Sequence, residues 1–277
     1  ENLMYRFLIL GGDPRQLYLS GLLEQAGQEV SLYYENPSFS LKEAMEASDI
    51  ILCPVPFSKD KQTIHAENQL KDLDIDLFLS RLTSAHTLFG GSIPLSVKEY
   101  CTAHGIPCFD FMEMEEVACK NAVATAEGAV AEAISLSPVN LRKSACLIAG
   151  CGRCAEALAD TLTGMGAHVT LTGRDAQKLA RAWCHGYGTV PLSQLDSHVH
   201  GYSFIFNTIP AMVFDAGLGA RMARDAVVID IASAPGGVDF EACALHGVRA
   251  RLCPGLPGRY SPLSSARILY EALCSRI

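Results

Sequence analysis

Short apolar runs alternate with amphipathic stretches through residues 4–111. This β-α-β-α order predicts a parallel sheet with helices on both faces. The predicted strands are 5–12, 29–34, 49–56, 86–93 and 106–111, and the predicted helices are 15–27, 41–48 and 95–105.

A long helix is predicted for residues 112–136, because glutamates crowd its first turns and Ala and Gly fill its body. Acidic residues suit the positive end of a helix dipole. The segment 137–140, SPVN, ends this helix, and a second α/β run follows to residue 277. We therefore predict an α/β fold with two doubly wound, Rossmann-like parallel-sheet domains joined by a long helix. The domains are 1–136 and 137–277, and helix 262–276 is expected to pack back on the first domain.

Composition narrows the classes of function. Hydrophobic residues make up 49% of the 277-residue chain, which supports a sizeable core and argues against disorder. A net charge of −8 without a basic tract argues against nucleic-acid binding. The sequence has no apolar run long enough for a membrane span, and its first thirteen residues lack the pattern of a signal peptide. A cytoplasmic protein is therefore expected.

The eleven cysteines suit a reduced interior rather than a disulfide framework. A zinc site would need a second closely spaced pair, and Cys101 and Cys108 are too far apart for a zinc knuckle. No metal is expected.

Two motifs overlap in the segment AGCGRC, residues 149–154. Cys151 and Cys154 form C-x-x-C, which is typical of a redox pair or half of a metal site. Gly150, Gly152 and Ala155 form G-x-G-x-x-A, the turn that holds a pyrophosphate. The turn lies between an apolar strand and an amphipathic helix, with a second strand at 167–173, so its context favours a dinucleotide site. The predicted cofactor-binding residues of this loop are Gly150, Cys151, Gly152, Arg153 and Cys154.

The end of the second strand of this unit favours NADP over NAD. NAD sites usually place an acid there, whereas this chain has Thr172, Gly173 and Arg174. An arginine can pair with a 2′-phosphate. Asp175 follows one or two residues late and is expected to cap the next helix. The first glycine pair, Gly11 and Gly12, lacks a third small residue at the right spacing, so a second dinucleotide site is not expected.

Several motifs together resemble one family, the A subunit of bacterial dipicolinate synthase. They are GGDPRQ (11–16), NAVATAEGA (121–129), NTIPAMV (207–213), DIASAPGGVDF (230–240) and PGLPG (254–258). The resemblance implies an NAD(P)-dependent oxidoreductase that converts dihydrodipicolinate, from the lysine pathway, to dipicolinate for endospores. It also implies that the partner is a flavoprotein-like B subunit. We further expect a homo-oligomer.

The chain departs from the family pattern at two places. Ala234 stands where a basic residue is expected between Ser233 and Pro235. Leu263 replaces a lysine in the segment after PGLPG, and Arg259 is a candidate to supply the lost charge.

The implied chemistry removes a hydride and a proton from a small ring with two carboxylates. Arg15 begins a helix after the first strand and could hold a carboxylate with two parallel bonds. Ser261 and Pro262 are expected to begin the last helix, which leaves the N–H of Leu263 for an anion. The remaining predicted substrate-binding residues are Asp13, Gln16, Asn121 and Thr125.

The NTIP segment follows a strand at its carboxyl end, where open parallel sheets bind ligands. Asn207, Thr208 and Ile209 are therefore predicted to border the cofactor, and Ser233 is predicted to be a catalytic residue beside the nicotinamide. Glu127 is the predicted catalytic base, because a Gly- and Ala-rich surround could bury it and raise its pKa. Asp13 competes for that role.

Two alternatives stay open. One is another NADP-linked small-acid dehydrogenase, such as a shikimate-dehydrogenase-like enzyme, although Lys59, Asp60 and Lys61 form an unconvincing Lys–Asp pair for it. The other is a non-catalytic subunit that binds a nucleotide and regulates a partner.

Overall fold

A computed structural model describes residues 4–277 and divides the chain into two compact units. The first unit comprises the chain up to Asn121 together with Ser261–Ile277, and the second comprises Ala122–Tyr260. The predicted first domain and the N-terminal segment begin at residue 1, but residues 1–3 lie outside the described residues. The structure places residues 122–136 in the second unit, whereas the sequence pattern assigned the whole connector helix to the first domain.

The first unit contains one five-stranded parallel sheet with the order β2-β1-β3-β4-β5. The strands are β1 (Arg6–Leu10), β2 (Glu29–Tyr33), β3 (Ile50–Leu52), β4 (Thr87–Gly90) and β5 (Cys108–Asp110). Strand order reverses beside β1, and ligands of such sheets bind at that switch, beyond the carboxyl ends of the strands.

Helices connect these strands and continue beyond β5. They are α1 (Arg15–Gln25), α2 (Leu41–Glu46), α3 (Ile75–Arg81), α4 (Leu95–Ala103) and, after a 3-10 helix at Phe111–Glu113, α5 (Glu115–Leu136). Helix α3 was not predicted, because its surroundings have the composition of a polar loop. The Asp74 side chain starts it by accepting a hydrogen bond from Leu77 N at 2.9 Å.

The second unit contains a six-stranded parallel sheet with the order β11-β10-β9-β6-β7-β8. This is the strand order of a dinucleotide-binding Rossmann domain. The strands are β6 (Ala145–Ala149), β7 (His168–Gly173), β8 (Gly188–Pro191), β9 (Phe204–Asn207), β10 (Val227–Asp230) and β11 (Arg249–Leu252). The helices are α6 (Arg153–Gly164), α7 (Ala176–Cys184), α8 (Ala216–Gly219), α9 (Phe240–Leu245) and α10 (Leu256–Tyr260), with 3-10 helices at Leu192–Ser197 and Val199–Gly201. Of these, β8, α8 and α10 were not predicted from the sequence.

Both faces of the second sheet are buried against other elements, because successive side chains of β6 join two different hydrophobic cores. Cys146 and Ile148 join the core beneath α6, whereas Leu147 and Ala149 join a separate core on the other face. All four side chains are fully buried. The predicted fold class, two parallel sheets each flanked by helices, is therefore confirmed.

The last helix, α11 (Pro262–Cys274), belongs to the first unit. Its Leu269 and Leu273 share a core with Leu19 and Leu23 of α1. Within residues 4–277, no helix combines the length and apolar character that a membrane crossing requires.

Candidate dinucleotide site and sheet-edge residues

The turn after β6 requires glycine at its first position. Gly150 has a φ of +115°, in the region that favours glycine, and a Cβ there would overlap the Thr208 hydroxyl. The Gly150 N–H donates to Thr172 O at 2.8 Å. This bond ties the turn to the end of β7, so the two loops lie side by side.

The second glycine faces open space. Gly152 is the N-cap of α6 and makes no side-chain cap bond. Apart from Gly152 itself and its two neighbours in the chain, no described residue has an atom within 4 Å of a Cβ built there. The first intrahelical bond runs from Glu156 N to Gly152 O, so the N–H groups before Glu156 precede the helical ladder. Room beside a glycine at the N-terminus of a twelve-residue helix fits a diphosphate group.

The third small residue lets the helix approach the sheet. Ala155 is fully buried in the core that holds Cys146 and Ile148. Gly150, Gly152 and Ala155 thus have the local conformations that a diphosphate loop needs.

The two cysteines of the loop are ordinary thiols. Burial raises the pKa of both Cys151 and Cys154, so both stay protonated near neutral pH. Redox-active thiols need the opposite shift. In the part of the chain that the structure describes, no group of three or more His, Cys, Asp or Glu could hold a metal ion.

The end of β7 presents one buried hydroxyl and one exposed cation. Thr172 is fully buried, and its Oγ1 has no hydrogen-bond partner among residues 4–277. A Cβ on Gly173 would lie 3.1 Å from Cys151 Sγ. Arg174 is exposed. Asp175 caps α7, as predicted, by accepting from Gln177 N at 2.9 Å and Lys178 N at 3.2 Å.

The side chain of Asn207 is used within the fold. Its Nδ2 donates to Ile209 O at 3.0 Å and to Asp230 Oδ1 at 2.9 Å, and its Oδ1 accepts from Ile209 N at 3.1 Å. Thr208 Oγ1 donates to Ala149 O at 2.8 Å. Asn207 and Thr208 therefore shape the edge at the end of β9, and the predicted contact of their side chains with a cofactor would compete with these bonds.

Asp230 was not singled out from the sequence. It is fully buried at the end of β10 and accepts from Asn207 Nδ2, from Ala232 N at 3.0 Å and from Gly237 N at 2.7 Å. A Cβ on Gly236 would overlap its carboxylate. Asp230 thus fixes the loop that carries Ser233, which is exposed. The sequence feature that could have identified Asp230 is an acidic residue at the end of the apolar run VVID.

In the first unit, Asp13 and Arg15 form a buried ion pair at the carboxyl edge of β1. Arg15 Nη2 lies 2.6 Å from Asp13 Oδ2 and Nε lies 2.9 Å from Oδ1, and Nη2 also donates to Val55 O. The side chains are 7% and 10% exposed. A substrate carboxylate would compete with Asp13 for these N–H groups, and the predicted binding of substrate by Arg15 stays a prediction.

Gln16 links two strands instead of facing open solvent. Its Nε2 donates to Leu10 O at 3.1 Å and Leu52 O at 3.3 Å, and its side chain fills the space beside Gly12. The amide nitrogen is therefore used by the fold.

His65 lies at the same edge and was not singled out from the sequence. Its carbonyl accepts from Gly12 N at 2.7 Å. Burial lowers the pKa of its half-buried imidazole, Lys59 lowers it further, and Asp13 acts in the opposite direction. The ring is therefore mostly neutral at pH 7 and able to accept a proton.

The structure corrects the environment predicted for Glu127. Glu127 is exposed, whereas the sequence predicted a buried position for it. Asn121 lies on the same helix in the first unit, and Thr125 lies on it in the second. Both are partly buried.

The buried acid of α5 is Glu132, which is 2% exposed. Its carboxylate lies 2.5 Å from Arg251 Nη1 and 2.7 Å from Arg259 Nη2, and it accepts from Tyr260 Oη at 2.8 Å. Arg259 is thus paired within the second unit, which corrects the expectation that its charge is available to replace the missing lysine.

Helix α11 begins as predicted, with Ser261 at the N-cap and Pro262 in the first turn. The Ser261 side chain makes no cap bond, and Ser265 N closes the first turn on Ser261 O at 3.0 Å. Leu263 is partly exposed in that turn.

The two sheets, with a diphosphate-type turn in the second, have the fold of the class of two-domain Rossmann dehydrogenases. A solved member of this class is a D-lactate dehydrogenase with NAD+ from Lactobacillus jensenii. It shares the fold at a TM-score of 0.60 and 12% identity, over 97% of this chain and 94% of that one.

Among proteins of this fold, the chain is similar to the A subunit of dipicolinate synthase. Residues 6–112 match the family of the N-terminal domain of that A subunit. The A subunit of dipicolinate synthase from Bacillus subtilis (strain 168) is 25% identical over 279 residues, which cover 97% of this chain and 94% of that protein. The crystal structure of the corresponding A subunit from Bacillus halodurans superposes with a TM-score of 0.86 at 25% identity, over 99% of this chain and 98% of that one. The resemblance found in the sequence is confirmed along nearly the whole chain.

Proposed function

We propose that the protein is an NAD(P)-dependent oxidoreductase subunit that converts dihydrodipicolinate to dipicolinate. The observation that carries the proposal is the turn at Gly150–Gly152, which leaves a helix N-terminus with open space beside a glycine. The similarity to the A subunit of dipicolinate synthase suggests the product, dipicolinate, and dihydrodipicolinate is the substrate that the resemblance of the sequence motifs implies. The named D-lactate dehydrogenase shares the fold alone, and its NAD+ shows what such a fold can bind.

The proposal assigns the cofactor to the second unit. The N–H groups at the start of α6 hold the diphosphate, and the end of β7 receives the adenosine ribose. The exposed Arg174 supports NADP as the preferred form, because a guanidinium suits a 2′-phosphate. NAD is the alternative.

Aromatisation of the substrate ring removes one hydride and one proton. A bound nicotinamide accepts the hydride, and the protein contributes binding and orientation. The proposal assigns the substrate carboxylates to Arg15 and to the first turn of α11, where Leu263 N–H is a donor, with Gln16, Asn121 and Thr125 as further contacts. Ser233 is assigned a place beside the nicotinamide.

The proton that leaves the substrate ring needs an acceptor, and Glu127 and Asp13 are the candidates. The exposure of Glu127 gives it access to water, whereas Asp13 would have to release Arg15 before accepting a proton. The neutral imidazole of His65, beside Asp13, satisfies the same requirement.

The similarity also suggests the biological setting. The relatives are named as one of two kinds of subunit, which implies a partner. We propose that this partner is a flavoprotein-like B subunit. We also propose that the protein assembles into a homo-oligomer and serves dipicolinate synthesis in the cytoplasm during sporulation.

The test is to incubate the purified chain with enzymatically generated dihydrodipicolinate and NADP or NAD, with and without the B subunit. Dipicolinate absorbance that depends on the added nicotinamide cofactor supports the proposal. A parallel reaction uses a variant that cannot bind the cofactor, together with the B subunit. Full product formation by that variant would contradict catalysis by this chain and leave a regulatory role. Absence of product in every reaction, with turnover of another small acid, would point to a different dehydrogenase.

A further inference from the structure

The sheet of the second unit has an open edge at β11. Among the described residues, β11 pairs with β10 on one side and with no strand on the other. None of the four residues of β11 is buried, whereas all four residues of β10 are. The N–H groups of Arg249 and Cys253 donate toward β10. Backbone N–H groups alternate in direction along a strand, so those of Ala250 and Leu252 point outward and can pair with a further strand.

Two arginines of β11 lie on the face of the sheet that α5 covers. The register places Arg249 opposite Val227 and Arg251 opposite Ile229. Val227 and Ile229 belong to the core that also contains Ala133 of α5. Because paired residues point to the same face, the side chains of Arg249 and Arg251 lie side by side on this face, and both residues are exposed.

A buried carboxylate fixes Arg251 together with an arginine of α10. The Glu132 side chain is 2% exposed, and its oxygens lie 2.5 Å from Arg251 Nη1 and 2.7 Å from Arg259 Nη2. The two arginine side chains are nevertheless 46% and 51% exposed. Tyr260, also partly exposed, lies with its ring centre 5.5 Å from the Arg259 guanidinium carbon. Guanidiniums that are already fixed lose less rotamer freedom when a partner binds, and Arg and Tyr are the residue types enriched at protein interfaces.

The charge of this surface is opposite to that of the chain. Three guanidiniums, those of Arg249, Arg251 and Arg259, and the one carboxylate of Glu132 leave two positive charges, whereas the net charge of the chain is −8. Within residues 4–277, Arg249 forms no ion pair. An acidic partner is therefore favoured. A second copy of this chain that paired β11 with β11 would bring the arginines of both copies together, which is unfavourable.

Charged side chains on an edge strand have a second possible role, since they can keep strands of other molecules away. Charges that act in this way need only be solvated. Here Arg251 is held by a buried carboxylate that neutralises part of the repulsive charge. A fixed and partly neutralised arginine suits a surface that receives a partner better than one that repels it.

We infer that the β11 edge is a docking surface for an extended acidic segment of another protein, which pairs beside β11 and places carboxylates on Arg249 and Arg251. Side chains two residues apart on a strand are spaced by about 6.6 Å along it, so acidic residues at alternate positions of the segment match the two arginines. In this mode of recognition the backbone bonds supply affinity and the side chains supply specificity. The unpaired backbone groups favour a polypeptide over a nucleic acid. The inference does not depend on the proposed function.

The test is fluorescence anisotropy with a labelled peptide of sequence EVEVEVE, acetylated and amidated at its ends, and with the matched peptides EPEPEPE and KVKVKVK. The variant is Arg249→Gln, which removes no ion pair within the fold. The control is Arg181→Gln, at an exposed arginine of α7 without an ion pair among the described residues. Arg249→Gln is expected to weaken the binding of EVEVEVE about fivefold to tenfold, and Arg181→Gln to change it by less than about twofold.

The proline peptide separates strand pairing from charge attraction. It carries the same charges but lacks the N–H groups of the valines, so it is expected to bind at least about tenfold more weakly than EVEVEVE. KVKVKVK is expected not to bind. Hydrogen exchange of the Ala250 and Leu252 amides should slow when EVEVEVE is bound.

Four results would overturn the inference. Absence of EVEVEVE binding would leave the arginines the role of keeping the edge unpaired. Equal weakening by Arg249→Gln and Arg181→Gln would show that the peptide binds elsewhere or by net charge. Equal affinity for EPEPEPE, or for oligothymidylate of the same charge, would exclude pairing with the strand. Loss of coenzyme binding in a separate titration would contradict the proposed function without affecting this inference.

Discussion

Adding one methyl group to Gly152 should separate stability from cofactor binding. Gly152 has φ −102° and ψ −174°, extended backbone that alanine adopts without strain, and a Cβ there meets no protein atom within 4 Å. Replacing glycine by alanine where the backbone allows it stabilises by about 0.4–1 kcal/mol through the unfolded chain. Alanine is a poorer N-cap than glycine, at a cost of up to about 1 kcal/mol. The two effects nearly cancel, so Gly152→Ala should change the free energy of unfolding by less than about 1 kcal/mol.

The same methyl group would occupy the space assigned to the diphosphate. A phosphate oxygen held away from the first-turn N–H groups loses at least one hydrogen bond to a charged acceptor, worth about 1.5–3 kcal/mol. The dissociation constant for NADPH should therefore rise about tenfold to a hundredfold. Urea denaturation measures the stability and calorimetry the affinity, and Gly152→Ser, which adds a capping hydroxyl, should be at least as stable as Gly152→Ala and bind equally poorly. Unchanged NADPH affinity in a folded Gly152→Ala protein would refute the assignment of this space to the diphosphate.

Three further substitutions test how the second unit is held together. Gly150→Ala should lower the free energy of unfolding, measured by urea denaturation, by about 2–4 kcal/mol, because φ is +115° and the new Cβ overlaps the Thr208 hydroxyl. A loss below about 1 kcal/mol would show that the turn is not constrained in this way. Asp230→Asn should lower the free energy of unfolding by about 2–4 kcal/mol, because it weakens three buried hydrogen bonds. Asp175→Asn, the same change at an exposed cap, should lower it by less than about 0.5 kcal/mol. Equal losses for the two variants would contradict the role given to burial. Burial raises the pKa of the Glu132 carboxyl, but the hydrogen bonds and charges of Arg251, Tyr260 and Arg259 lower it by more, so the pKa lies below its ordinary value of 4.5. The ionised carboxylate therefore stabilises the fold above that pH, and this stabilisation is lost as the pH falls through the lowered pKa. Glu132→Gln should thus cost about 1–2 kcal/mol at pH 7 and progressively less below pH 4.5, and a pH-independent difference in thermal denaturation would be evidence against the ion pairs.

Local sequence patterns were sufficient where one segment determines its own conformation. The turn at Gly150–Gly152 and the cap at Asp175 depend on neighbouring residues, so periodicity and spacing predicted both. Short elements such as α3 and β8 were missed, because seven and four residues carry too little periodicity to stand out from a loop.

Pairing between distant residues was beyond a reading of the sequence alone. Glu127 and Glu132 lie on one Ala-rich helix, and which of them is buried depends on Arg251 and Arg259, more than a hundred residues later. Likewise, the Asp13 carboxylate occupies the Arg15 fork that the sequence suggested for a substrate. The sequence motifs predicted which polar residues follow the strands, whereas the structure shows which of these residues already bond to each other.

The most direct test of the central claim is amide chemical-shift mapping of the isotope-labelled protein during titration with NADPH. The backbone amides of residues 150–154 should shift together and saturate at the affinity measured by calorimetry, and those of residues 173–178 should shift more with NADPH than with NADH. Saturating NADPH that leaves the amides of residues 150–154 unmoved would contradict the account.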